Sequence, residues 1–155
     1  MAVGTVAPGY DLSLCINDLK SKKKEAALAE MASAAVQAGV ASEGALLLES
    51  LKMRERLGTS AIGKGVALPH ARSVTVSRGR IVVARAPRGI DWSAPDEAAV
   101  HLVLMILAPA EWSDEAFHSL LGRAGATARL QRTRQKLLAA ASVEGLATLW
   151  REAMA

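Results

Sequence analysis

The chain has 155 residues, of which 51% are apolar and 22% charged, with a net charge of +4; this excludes a disordered chain and a coiled coil and predicts a single domain, residues 1–155. The single cysteine, Cys15, excludes an intramolecular disulfide framework and a cysteine-rich zinc site, and the N-terminus lacks a signal-peptide pattern, so we expect a cytoplasmic protein. The basic residues are dispersed and aromatic residues make up only 3%, which argues against nucleic acid as a partner, and the longest apolar run is too short for direct membrane insertion.

In chain order, the first half of the sequence predicts one strand and two helices. The strand is expected around Leu14–Leu19. We expect Ser21 to cap a helix that ends at Gly39, and Ser42 to begin a second helix. The apolar face of the first helix carries Leu28, Met31 and Ala35.

The second helix contains a charge in an unusual place. Leu47, Leu51 and Arg54 follow one another at i, i+4 and i+7, so the three lie on one face of the helix. Arg54 is therefore predicted on the buried stripe, close to the helix end that precedes a glycine-rich segment.

The second half of the sequence predicts strands at Val66–Leu68, Arg80–Ala86 and Val100–Leu107. The last of these is a continuous apolar run, which is typical of a strand covered on both faces. We therefore expect helices on both faces of the sheet.

Three helices are predicted after the last strand. Ser113 is expected to cap the first helix, with His118 in its early turns; the second is expected around Arg134–Ala141, and Ser142 is expected to cap the third. The apolar side of the third helix carries Leu146, Leu149 and Trp150. The predicted fold is α/β, with a mixed β-sheet flanked by helices on both faces.

The segment Gly58–Arg72, GTSAIGKGVALPHAR, contains the pair Pro69-His70. Proline has no backbone N–H and a fixed φ, so we expect Pro69 to end a strand and to present His70 from a stiffened loop. An imidazole held in this way is suited to act as a nucleophile, and the pair points to phosphoryl chemistry on histidine.

The same segment contains GTSAIGK, which matches the start of a nucleotide-binding P-loop. In a P-loop, Ser or Thr follows the lysine and holds Mg²⁺, and the loop runs from a buried strand into a helix. Here Gly65 follows Lys64, a helix precedes the segment and a strand follows it. We therefore reject nucleotide binding for this segment.

Three stretches occur in order along nearly the whole chain: RERLGTSAIGKGVALPHAR from Arg54 to Arg72, IDWSAPDEAAVHLVLMILAP, and the helix that carries His118. Together they resemble the IIA components of the bacterial phosphotransferase system, in the fructose, mannitol and nitrogen-regulatory branch. The string RE…GTSAIGKGVALPH is the most specific part. The resemblance implies a sheet flanked by helices, and a histidine in the Pro-His pair that accepts a phosphoryl group from a small phosphocarrier protein such as HPr.

The resemblance makes His70 the phosphorylated nucleophile, His118 the second active-site histidine and Arg54 the nearby basic residue. Two glycines interrupt the helix around His118, where the family usually has leucine and alanine. Ala71 replaces the glycine that commonly follows the active histidine in the family. Arg72 remains as a further nearby cation.

Phosphoryl transfer between histidines requires a neutral ring nitrogen aligned with the phosphorus, while a hydrogen bond to the other nitrogen fixes the tautomer. An ordinary histidine pKa of about 6.5 leaves much of the ring neutral near neutral pH. Donors from His118, Arg54 and local backbone amides would then hold the phosphoryl oxygens. The scheme uses no metal, nucleotide or other cofactor.

Two functions follow from the resemblance. The first is a phosphohistidine carrier, a transferase that receives its phosphoryl group from an HPr-like protein and passes it to a downstream IIB-type domain or signals by its phosphorylation state. The second is a regulatory binding protein of the nitrogen-regulatory type, which controls a kinase, a transporter or a transcription factor by contact. A basic nucleic-acid-binding module is the remaining alternative, and it would show steep salt dependence.

Overall fold

Strands and helices of the computed structural model, which describes residues 10–155, form an α/β fold. The strands are β1 (Asp11–Ile16), β2 (Ala61–Gly63), β3 (Val66–Ala67), β4 (His70–Ser73), β5 (Arg80–Ile90) and β6 (Val100–Pro109). The helices are α1 (Lys24–Gln37), α2 (Gly44–Arg56), α3 (Asp114–Arg129), α4 (Gln131–Ala139) and α5 (Val143–Met154). Within residues 10–155, no helix is both long enough and apolar enough to cross a membrane.

One mixed sheet contains the strands in the order β1-β5-β6-β3-β2. β5 and β6 pair antiparallel, β1 is parallel to β5, and β3 is parallel to β6. β4 pairs with β6 in parallel as well, further along the same edge, with His70 opposite Ile106. Pro69 stands in the gap between β3 and β4, where a residue without a backbone N–H cannot extend the ladder.

Alternate side chains of the two central strands build two separate cores, which confirms the predicted helices on both faces. On one face, Val82, Ala84, Val103 and Met105 pack in a core with α1 and α2. On the other face, Ile81, Val83, Leu102 and Leu104 pack in a core with α3, α4 and α5. The predicted apolar face of α1 is buried in the first core, and Leu146 and Trp150 of α5 are buried in the second, where Leu149 is partly buried.

The helix starts divide the predictions into two groups. Ser113 and Ser142 cap their helices as expected, accepting hydrogen bonds from the N–H groups of Ala116 and Gly145. The predictions for Ser21 and Ser42 were wrong, because α1 begins at Lys24 and α2 at Gly44 without a side-chain cap. The Ser21 hydroxyl instead donates to Glu30, and the Ser42 hydroxyl donates to the carbonyl of Thr75.

The glycine-rich segment after α2 is a hairpin. β2 and β3 pair antiparallel, and the turn residues Lys64 and Gly65 have φ values of 60° and 78°. Two successive positive φ values are typical of the tight turns that join antiparallel strands. The order helix, hairpin, strand is unlike that of a P-loop, and it brings His70 to the start of β4 rather than to the predicted loop.

Candidate active site around His70

His70 is half-buried at the first position of β4, and both of its ring nitrogens have partners. Nδ1–H donates to the carbonyl of Leu68 over 2.8 Å. Nε2 accepts a hydrogen bond from Nε–H of Arg54 over 2.9 Å. Because a carbonyl only accepts and a guanidinium only donates, these partners assign a neutral ring with its proton on Nδ1 and a lone pair on Nε2.

Arg54 reaches the ring from the last turn of α2, as the helix periodicity predicted. Leu47 and Leu51 on the same face are buried, and this orientation turns the Arg54 side chain toward the sheet. Nη1–H of Arg54 donates to the carbonyl of Gly58 over 2.9 Å. Two bonds to one planar guanidinium fix both its position and its orientation beside Nε2.

Burial lowers the pKa of His70 below its ordinary value, and the charges of Arg54 and His118 lower this pKa further. The hydrogen bond to the Leu68 carbonyl and the charge of Glu55 act in the opposite direction. The net direction is downward, so the neutral ring is favoured at neutral pH.

His118 lies on the exposed side of α3, close enough for its charge to act on His70. Phe117, the preceding residue, is buried, and its ring meets the His70 ring edge-on with 5.6 Å between centroids. The structure thus brings all three predicted residues, His70, Arg54 and His118, into one neighbourhood.

Arg72 points toward the start of α3. Its guanidinium lies 5.3 Å from the centroid of the Phe117 ring. Nη2 forms an ion pair with Asp114 at 2.6 Å, and Nη1–H donates to the carbonyl of Trp112 over 2.8 Å. These contacts join β4 to the helix that carries His118.

A cleft of about 340 Å³ opens beside His70, between α3 and the segment after α2. Residues on both sides line it, including Arg54, Ile62, Leu68, Gly122, Gly125 and Arg129. The two glycines lie inside a continuous α3, and a Cβ atom added at Gly122 would meet nothing within 4 Å. The glycines that depart from the family pattern therefore widen the space next to the imidazole.

Two further residues define the surroundings. His101, which is not part of the predicted site, donates from Nδ1–H to the carbonyl of Ala86 over 2.9 Å. Glu55, which the sequence analysis did not single out, is buried behind Arg54 and accepts a hydrogen bond from Ser60 N–H over 3.0 Å. Its signals in the sequence are its place beside Arg54 in the RE pair and its spacing from Leu47 and Leu51, which puts it on the buried face of α2. Among residues 10–155, no group of three or more His, Cys, Asp or Glu side chains is arranged to hold a metal ion.

The family model described as "Phosphoenolpyruvate-dependent sugar phosphotransferase system, EIIA 2" matches residues 11–149. The chain belongs to this family. It is 31% identical over 140 residues to a PTS system fructose-specific EIIA component of Haloferax volcanii, a match that covers 90% of this chain and 88% of the relative. It is also 40% identical over 91 residues to a nitrogen regulatory protein of Bradyrhizobium diazoefficiens, with 59% of each chain covered.

A solved structure shares the EIIA fold of this chain. It is the complex of enzyme IIAMtl and phosphorylated enzyme IIBMtl from Escherichia coli, and the similar chain aligns with a TM-score of 0.74 at 17% identity. The alignment covers 93% of this chain and 99% of the other. At this identity the likeness shows the fold, which agrees with the family membership.

Proposed function

We propose that this EIIA-family chain is a phosphohistidine carrier and that Nε2 of His70 accepts the phosphoryl group from an HPr-like phosphocarrier protein. The observation that carries the proposal is the state of the ring: Nδ1–H is engaged with the Leu68 carbonyl, and the Nε2 lone pair is directed toward a guanidinium. This ring lies inside the string that resembles the active-site motif of the family.

The transfer is an in-line displacement at phosphorus. The lone pair of Nε2 forms an N–P bond while the N–P bond of the donor histidine breaks, and the donor ring keeps the electron pair of that bond. The His70 ring gains positive character once it carries the phosphoryl group. The Leu68 carbonyl, which holds Nδ1–H, stabilises that charge.

Arg54 has two successive partners in this scheme. In the free protein its Nε–H occupies the Nε2 lone pair, so the guanidinium must leave this nitrogen before phosphorus can approach. After this short movement the same N–H groups are placed to donate to the phosphoryl oxygens, on which negative charge is concentrated. His118, on the exposed side of α3, supplies a further donor.

The second half of the carrier cycle passes the phosphoryl group to a IIB-type domain. The similar IIAMtl fold was solved together with phosphorylated IIBMtl, which supports an acceptor of this class. His70 is half-buried at the edge of an open cleft, where a second imidazole can approach it. We place this cycle in the cytoplasm.

Phosphoryl uptake tests the proposal directly. The chain is incubated with phosphoenolpyruvate, the general phosphotransferase enzyme and its phosphocarrier, and intact mass is measured before and after acid treatment. We expect an acid-labile gain of one phosphoryl group that His70→Ala abolishes. His101→Gln is the matched control, because His101 makes the same kind of Nδ1 bond to a backbone carbonyl and should leave uptake unchanged.

A second function is a regulatory role in which the phosphorylation state of His70 controls contact with a target protein. The similarity to the nitrogen regulatory protein of Bradyrhizobium diazoefficiens favours it. A regulator would be phosphorylated slowly, and its complex with a target would differ between the free and phosphorylated forms. Rapid turnover to a IIB-type acceptor would instead identify a carrier in a transport chain.

A further inference from the structure

Glu55 is a buried carboxylate that follows Arg54 in α2. Its side chain is only 6% exposed, and burial of a charged group is costly unless partners compensate for the lost water. Oε2 accepts from Ser60 N–H over 3.0 Å and lies 3.5 Å from Nζ of Lys24. Among the residues that the structure describes, no hydrogen-bond donor reaches the buried Oε1. A buried carboxylate with one unpaired oxygen contributes little to stability, so its contacts have to account for its presence.

Ser60, the residue that Glu55 holds, connects three parts of the structure. Its carbonyl accepts from Leu68 N–H over 2.9 Å, and its hydroxyl accepts from Nε1–H of the fully buried Trp92 over 3.2 Å. The carbonyl of Leu68 in turn accepts Nδ1–H of His70. A continuous path of hydrogen bonds therefore runs from the Glu55 carboxylate to the imidazole.

A second path from Glu55 ends at the other ring nitrogen. The main-chain carbonyl of Glu55 accepts from Gly58 N–H over 3.2 Å, and the carbonyl of Gly58 accepts from Nη1–H of Arg54 over 2.9 Å. Nε–H of Arg54 then meets Nε2 of His70. Segment 57–60, which follows α2, is thus held at Gly58 by the main chain of residue 55 and at Ser60 by the Glu55 carboxylate.

We propose that Glu55 is a positioning residue for His70. Its carboxylate anchors Ser60 in segment 57–60, and Ser60 in turn holds Leu68, whose carbonyl keeps the proton on Nδ1 and leaves the lone pair on Nε2. The role rests on the proposed function of His70, because the geometry that Glu55 maintains is the one required for Nε2 to act as the nucleophile.

The first test measures the His70 ring itself by NMR of protein labelled with ¹⁵N-histidine, without any phosphoryl donor. Glu55→Ala removes both the acceptor and the charge. We expect the His70 ring to lose its fixed tautomer in this variant, so that the proton is found on both Nδ1 and Nε2. Glu55→Gln keeps an acceptor oxygen for Ser60 N–H, so the tautomer should be retained. The pKa of His70 should fall in this variant, because the carboxylate that raises it is lost, while Arg54 and His118 remain.

Glu49→Gln is the matched control for the loss of a carboxylate from α2. Glu49 is exposed and pairs with the exposed Arg56 on the same helix. The tautomer and the pKa of His70 in this variant should equal those of the unaltered protein.

The second test measures the rate of phosphoryl uptake from the phosphorylated carrier. A displaced imidazole slows the phosphoryl-transfer step. Glu55→Ala should therefore reduce kcat by about 10- to 100-fold, with KM for the carrier nearly unchanged. Glu55→Gln should recover most of this loss. A role limited to stability would lower the thermal midpoint without this separation of kcat from KM.

The inference is overturned if Glu55→Ala folds and shows the tautomer and uptake rate of the unaltered protein. If Glu55→Ala does not fold, Glu55→Leu, which fills the same space without an acceptor, takes its place, and the tautomer and uptake rate of the unaltered protein in that variant overturn the inference. Failure of the proposed function is a separate result: the unaltered protein would take up no phosphoryl group, while the NMR signature of the Glu55 variants would still appear.

Discussion

His70 and His101 are two half-buried histidines on neighbouring parts of the sheet, and their local bonding is alike. Each donates Nδ1–H to a backbone carbonyl, Leu68 in one case and Ala86 in the other, over 2.8 and 2.9 Å. The difference lies at Nε2. At His70 this nitrogen meets Arg54 beside an open cleft. At His101 it lies 3.3 Å from where a Cβ atom at Gly89 would stand, so the main chain of β5 covers it.

If His70 is the phosphorylated residue, as we propose, the fixed tautomer alone does not make a reactive histidine. Both rings have it, because a backbone carbonyl within reach of Nδ1 is sufficient. What distinguishes His70 is a cation and free space on the side of the lone pair. Changes that alter that side should therefore affect phosphoryl transfer, and changes around His101 should affect only stability.

Removal of the cation should have the largest effect. We expect Arg54→Ala to reduce the rate of phosphoryl uptake by about 10²- to 10³-fold, because a preorganised donor to the phosphoryl oxygens is lost. Arg54→Lys keeps the charge without the planar fork and should recover only part of the rate. Rapid-quench measurement of uptake gives these rates.

Arg56→Ala is the control for this prediction, since Arg56 is an exposed arginine in the same turn of α2 and pairs with Glu49. Equal losses of uptake rate in Arg54→Ala and Arg56→Ala would mean that Arg54 acts only through net charge and has no specific role at the site.

His118 should have a smaller effect than Arg54. Its side chain is exposed, so water replaces part of what it donates, and we expect His118→Gln to slow uptake by roughly tenfold. The same rapid-quench assay measures it. A loss as large as that of His70→Ala would instead make His118 an obligatory participant in transfer.

The pH dependence should follow the lowered pKa of His70. Uptake should persist as pH falls through about 6.5, the ordinary histidine value, and decline only below it, since Nε2 keeps its lone pair until the folded-state pKa is reached. The folded state binds fewer protons than the unfolded state in this window. The contribution of His70 to the free energy of unfolding is therefore fully present above about pH 6.5 and is lost as pH falls through the folded-state pKa of His70.

Urea unfolding at a series of pH values measures this loss of stability, with His70→Gln as the comparison. The variant lacks the titrating ring, so its free energy of unfolding should depend less on pH in the same window. A steeper dependence of the free energy of unfolding on pH in the variant would mean that folding raises the pKa of His70 instead of lowering it.

The smallest effects should come from two glycines, one near each histidine. Gly122→Ala places a methyl group in open space on α3 and should stabilise the protein by about 0.5–1 kcal/mol, a rise in Tm of about 1–4 °C. Gly89→Ala meets Ala99 at 3.0 Å and His101 at 3.1 Å with φ at +82°, and should destabilise by about 1–2 kcal/mol. Calorimetry measures both changes in stability. Shifts in Tm of the same sign would contradict the contrast between the open surroundings of Gly122 and the covered surroundings of Gly89.

Much of the fold was predictable because its signals are local. The continuous apolar run of β6 indicated a strand covered on both faces, and Ser113 and Ser142 carried the cap signals that the structure confirms. The wrong caps at Ser21 and Ser42 have a physical reason. Their hydroxyls bond to Glu30 and to Thr75, which are remote in sequence, and a local pattern cannot reveal such partners.

The candidate site was predictable where the periodicity of α2 turns Arg54 toward the sheet. The candidate site was not predictable where strand pairing in the sheet determines the backbone conformation. β2 and β4 are short, and His70 joins a strand only because β6 offers a parallel partner at Ile106. Glu55 was missed although it follows Leu47 and Leu51 at i+8 and i+4 on the buried face of α2, because acidic residues are seldom buried. Only the path through segment 57–60 shows why it is buried.

The atom that carries the phosphoryl group tests the central claim most directly. After phosphorylation of ¹⁵N-histidine-labelled protein, NMR of the ring nitrogens distinguishes a phosphoryl group on Nε2 from one on Nδ1. We predict phosphorylation of His70 at Nε2 with Nδ1–H retained on the Leu68 carbonyl. A phosphoryl group on Nδ1 of His70, or on another residue, would contradict the account.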